Sequence, residues 1–180
     1  MSSRGEIGIP KVVKVTLTSW PGTCEIRDID HLLRALREAF PNVLVRAVDL
    51  AAMPIAAQLT VVQSTDVLVG VHGVGLSHSM FMREGQGAVV ELQPADLSTT
   101  QHQGRYKNLA ATLGQKYFSA KTEVDSLGQG GSGEADVEQS LGGDTLNQIE
   151  IELARRGTEL SLGAGEFVAQ VERAIEVLVV

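Results

Sequence analysis

Apolar positions along this chain follow two alternating rhythms: short unbroken runs, and a spacing of three or four residues. The unbroken runs are Asp66–Val71 and Ala88–Leu92, and Lys11–Thr18, Val43–Val48 and a short stretch at Lys116–Phe118 also read as strands. Runs rich in Val and Leu, without polar alternation, predict parallel strands covered on both faces. Helix-spaced segments lie between them. Ile26–Phe40 carries apolar residues at Ile26, Ile29, Leu32, Leu33, Leu36, Ala39 and Phe40. Asp28 and Asp30 stand at its start and Arg34 and Arg37 later, the order a helix dipole favours, and Pro41-Asn42 stops it. Pro54 opens a second helix running to Ser64, Gly75–Phe81 predicts a short third, and Gln103–Leu113 a fourth closed by Gly114. Strands alternating with helices over short loops predict an α/β fold, a Rossmann-like parallel sheet with helices on both faces.

After Phe118 the pattern changes. Asp125–Gly143 is rich in Gly, Ser and acid and reads as a flexible insertion. Thr145–Arg156 is spaced as a helix, and Phe167–Val180 as a last helix whose stripe of Phe167, Val171, Ile175 and Leu178 packs back on the sheet. The expected organisation is a Rossmann-like lobe over 11–119, an insertion over 120–144 and C-terminal helices over 145–180. A turn is expected at Trp20-Pro21-Gly22-Thr23.

The 180 residues give room for one domain with a real core. A net charge of −7, with its 15 basic residues scattered, offers no stripe for nucleic acid. The single cysteine, Cys24, forms no internal disulfide and lacks the His/Asn setting of a thiol nucleophile. Met1–Pro10 has no apolar signal core, and no stretch reaches the roughly 18 apolar residues of a membrane span. The expectation is either a cytoplasmic protein, or a piece of a longer chain whose targeting segment lies elsewhere.

The chemistry concentrates in Thr65–Pro94. A His72-Gly73-Val74-Gly75-Leu76 turn leads from one buried strand into a helix start, where backbone N–H groups and the dipole favour an anion, above all a phosphate. In a doubly wound sheet, ligands sit outside the carboxyl ends of the strands, which brings His72, the two glycines and Glu91 to one crevice. The dinucleotide fingerprint G-x-G-x-x-G fails at His78, and there is no P-loop. His72 suits a base, or a donor to a phosphate or sugar hydroxyl, and equally a loop hydrogen bond. Ser77 and His78 reach the same ligand or merely start the helix. Glu91 accepts sugar hydroxyls or pairs with Arg83 or Arg105. Arg105, with Tyr106 and Lys107, opens a helix from which it reaches a phosphate or stands in solvent. No metal site is expected, because His31, His72, His78 and His102 lie in separate segments with no Cys pair.

Together, Asp66–Gly75, Leu76-Ser77-His78, Phe81, Gly85 and Val89-Val90-Glu91-Leu92 resemble the C-terminal signature of glycosyltransferase family 61. The resemblance continues in Tyr106, Leu109-Ala110, Gly114 and Tyr117, and upstream in Phe40-Pro41, Val48-Asp49, Pro54 and Gln58. It implies the C-terminal catalytic lobe of a GT-B enzyme, which transfers a sugar with inversion from a nucleotide-sugar, UDP-linked, to a hydroxyl on a protein or glycan. His72 would be the catalytic residue. Gly73, Gly75, Leu76, Ser77, His78, Glu91 and Arg105 would bind the donor, with no obligatory cofactor. The family implies the lumen of the endoplasmic reticulum or Golgi, with membrane attachment only through a segment outside this chain. The pattern departs from the family at Val74 (usually Ala), at Ala57 (usually Glu), and near the first strand, where an expected arginine is missing. A degenerate nucleotide-binding module without the acceptor lobe is the alternative.

Overall fold

The computed structural model describes residues 12–19, 25–94, 104–125 and 159–179. In chain order these form β1 (Lys14–Ser19), β2 (Glu25–Ile26), α1 (Ile29–Ala39), β3 (Leu44–Asp49), α2 (Ile55–Gln63) and β4 (Val67–Val71), then a 3₁₀ helix (Val74–Phe81). β5 (Ala88–Pro94), α3 (Arg105–Thr112), β6 (Lys116–Asp125), β7 (Glu159–Ser161) and α4 (Ala164–Val179) follow. The strands make a seven-stranded sheet in the order β2-β7-β6-β5-β4-β1-β3. From β3 to β6 every pairing is parallel. The α/β, Rossmann-like fold expected from the alternating rhythms is therefore present.

Strand alternation sorts the core into two layers. Val15, Leu17, Val67, Val69, Val90 and Leu92 face α1 and α4, where Leu32, Leu36, Phe167 and Val171 meet them. On the other face Leu68 and Val89 pack with Val62, Leu76, Met82, Tyr106 and Ala110. Strands buried on both faces account for their unbroken apolar runs. At the amino ends of the strands, Asp66 accepts from the Lys14 amide at 2.9 Å and from Arg83 at 2.8 Å. Arg46 on β3 donates to the Val61 carbonyl and the Ser64 hydroxyl at the end of α2, and to Thr16 on β1.

Several boundaries differ from the sequence reading. The sheet is mixed, because β7 runs antiparallel to β6, with β2 paired to β7. Ile26 belongs to β2, and α1 starts three residues later, after Asp28 in a left-handed conformation (φ 55°). The Gly75–Phe81 helix is a 3₁₀ helix starting at Val74. β6 does not stop at Phe118. Ala120 and Thr122 stay buried opposite Leu92 and Pro94 while Lys121 and Glu123 face outward, a period-two continuation of the strand. Residues 120–125, expected in the insertion, are thus strand. The rest of that insertion, the Thr145–Arg156 helix, the Trp20–Thr23 turn, Cys24 and His102 lie outside the described residues.

Candidate functional site

Register brings the site together. Gly70 on β4 lies opposite Glu91 on β5, which lies opposite Ser119 on β6. His72, two residues beyond Gly70, and Tyr117, two before Ser119, therefore share the sheet face of Glu91. The His72 amide extends the ladder to the Leu92 carbonyl at 2.9 Å. On that face His72 Nδ1 is hydrogen-bonded to Glu91 Oε1, and the Tyr117 hydroxyl donates to Glu91 Oε2. Gln93 donates to the Tyr117 oxygen at 3.2 Å. Burial, the hydrogen bond to Glu91 and repulsion from its charge push the Tyr117 phenol well above its usual range.

The chain then turns. Gly73 has φ 150°, ψ −174°, a backbone open to glycine and strained for any other residue. Its carbonyl accepts from the Leu76 amide at 3.1 Å and from the hydroxyl of Tyr106 on α3. The Tyr106 ring also stands edge-on to His72, with centroids 5.2 Å apart. Among the described residues, nothing accepts from the amides of Gly73, Val74 or Gly75. These three N–H groups lie at the carboxyl end of β4 and the start of the 3₁₀ helix. Val74 is 46% exposed, whereas Gly73 and Gly75 on either side of it are buried.

The expected site residues divide into three groups. His72, Gly73 and Gly75 come together as anticipated, with Ser77 half-buried on the next turn. Arg105 stands exposed beside Tyr106 at the start of α3, which the Tyr106–Gly73 bond ties to the turn. Leu76 and His78 are turned inward. Leu76 is fully buried in the second core layer, and Gly70 makes room for it. His78 hydrogen-bonds Gln58 on α2 at 2.8 Å through Nε2, and its Nδ1 lies 3.2 Å from the Gly75 carbonyl. Glu91 is only 1% exposed, and both its oxygens are bound by His72 and Tyr117. It does not pair with Arg83, which meets Asp66. Tyr117 is the participant that residue-by-residue reasoning did not assign. The signal was present in its position two residues before Ser119 on a paired strand. Among the described residues no cluster of three or more His, Cys, Asp or Glu is placed to hold a metal ion.

Residues 22–89 match the Glycosyltransferase 61 family model. That segment contains β4, His72 and the glycine turn, and it ends before Glu91 and Arg105. The match supports the family resemblance and, with it, glycosyltransferase as the general class of activity. No curated protein matches the chain. Among solved structures, the flavodoxin-like domain of a Synechococcus sp. protein aligns with 89% of this chain and 99% of its own, at 15% identity and a TM-score of 0.39. No described helix is long and apolar enough to cross a membrane.

Proposed function

We propose that this chain is the donor-binding lobe of an inverting glycosyltransferase of the family 61 type. It takes a UDP-linked sugar and passes the sugar to a hydroxyl on a protein or glycan. The observation that carries this reading is the glycine turn within the family-matched segment, with its three amides at the end of β4, beside a histidine held by a buried carboxylate. The Gly73, Val74 and Gly75 amides would hold the diphosphate, with the Arg105 guanidinium as its cation. An acceptor hydroxyl oxygen bonds to the anomeric carbon and loses its proton to water, as the bond from that carbon to the β-phosphate oxygen breaks and its electron pair leaves with the diphosphate. Charge develops on the departing diphosphate, where fixed amides and a cation act most strongly, so a metal is not obligatory. His72, bound through Nδ1 to Glu91, would donate from Nε2 to that leaving group. Glu91 then serves by holding His72 rather than by gripping the sugar.

Titrating the ¹⁵N-labelled chain with UDP and a panel of UDP-sugars tests the reading. The amides of Gly73, Val74 and Gly75 should shift, and His72→Ala should weaken UDP about tenfold, the loss of one charge-assisted hydrogen bond. No shift at millimolar UDP overturns the proposal. The sealed Glu91 carboxylate favours one second reading, a nucleotide-binding module without turnover. Binding of UDP with neither transfer nor hydrolysis of the sugar would select it.

A further inference from the structure

Three side chains from three adjacent strands meet at Glu91, and only two of them touch the expected chemistry. The third, Tyr117, comes from β6, beyond the family-matched segment, and lies one strand further from the glycine turn than Glu91. We propose that Tyr117 is a positioning residue, whose hydroxyl, by donating to Oε2 of Glu91, keeps the carboxylate anionic and turned so that Oε1 holds the proton on His72 Nδ1.

The proton count leads there. The Glu91–His72 contact holds a single proton, which sits on Nδ1 or on Oε1. With it on Nδ1, the neutral ring carries its lone pair on Nε2, and the imidazolium carries its exchangeable proton there. With it on Oε1, the ring accepts at Nδ1, and the neutral ring keeps a fixed N–H at Nε2. A hydroxyl donated to the other oxygen favours the anionic carboxylate and so the first arrangement. Tyr117 is suited to this, because its phenol stays protonated far into the alkaline range and Gln93 supplies a second hydrogen bond that fixes its oxygen. Tyr106 does the matching work on the backbone side, holding the Gly73 carbonyl and the edge of the His72 ring. The two tyrosines thus fix the imidazole against both the sheet and the turn. This rests on the proposed role of His72, but the arrangement exists without substrate and is tested without it.

Long-range ¹H–¹⁵N spectra of the histidine-labelled chain, with His72 assigned by its loss in His72→Gln, read the ring directly. The native ring should show a protonated Nδ1 with a slowly exchanging, far-downfield proton. In Tyr117→Phe that proton should move upfield and exchange at least about tenfold faster, the loss of one charge-assisted bond. A His72 signature in Tyr117→Phe identical to the native one overturns the proposal. Should Tyr117→Phe fail to fold, fluorotyrosine incorporated into a Tyr106→Phe background leaves one tyrosine, of native shape and greater acidity. It should shift the His72 proton, and an unchanged proton there is equally fatal. Failure to bind UDP with the native His72 signature intact would count against the transferase reading alone.

Discussion

The residue that most distinguishes this site is a tyrosine facing a buried carboxylate. The unfolded Tyr117 phenol ionises near its ordinary value of about 10, whereas in the folded chain burial and Glu91 hold the proton on. A group whose folded pKa is raised contributes stability that is intact below the unfolded value and lost as pH climbs beyond it. Unfolding should therefore set in above about pH 10 and draw the Tyr117 ionisation with it. The chain has two tyrosines, so absorbance titration of Tyr106→Phe follows Tyr117 alone, and its phenol should titrate only together with unfolding. A Tyr117 phenol titrating near pH 10 in the folded protein would refute it. At this scale the position of His72, Gly73 and Gly75 at the carboxyl end of β4 was legible in the sequence, because a buried strand running straight into a helix start places them there. The inward turns of Leu76, His78 and Glu91 were not legible. Each depends on a partner in another element: Gly70 on β4, Gln58 on α2, and Tyr117 on β6.

At the scale of elements, the packing of the 3₁₀ helix onto β4 places the amides. Leu76 settles over Gly70, where an added methyl would lie 2.9 Å from Thr18 Cγ2 and 3.1 Å from Leu76 Cδ2. Thr18 is stiff at χ1 and Leu76 is fully buried, so neither yields readily. Gly70→Ala should cost about 1–3 kcal/mol in denaturant unfolding, an overpacking penalty that exceeds the few tenths gained from a stiffer unfolded chain. It should also displace the Val74 and Gly75 amide resonances, since the helix must lift to relieve the contact. A variant as stable as the parent, with those resonances unmoved, would show that the close fit does not set the turn. The helices and strands were largely foreseeable from apolar spacing. Their misjudged ends have a common cause, because burial outranks residue type at a strand's end. β6 continues through polar Lys121 and Glu123 because Ala120 and Thr122 remain covered beside β5.

Across the whole molecule, the C-terminal helix completes the layer behind the site. Phe167 on α4 is fully buried in one core with Leu36 of α1, Val90 and Leu92 of β5, and Leu160 of β7. Phe167→Ala should lower stability by about 3–5 kcal/mol in equilibrium unfolding, through lost transfer energy and the cavity left behind. A loss under about 1 kcal/mol would mean α4 is a detachable appendage. Order along the chain carried the class of fold, since unbroken apolar runs are stable only as strands covered on both faces, and helices spaced between them supply the covers. It carried the glycine turn as well, because the backbone conformation there is a local demand. It did not carry the strand order at the β6–β7–β2 edge, nor which polar groups near the turn face a ligand and which face one another. Those were decided when register set β4, β5 and β6 side by side. A carboxylate's role depends on which partners the fold brings within reach, and at Glu91 both partners arrive from outside its own strand.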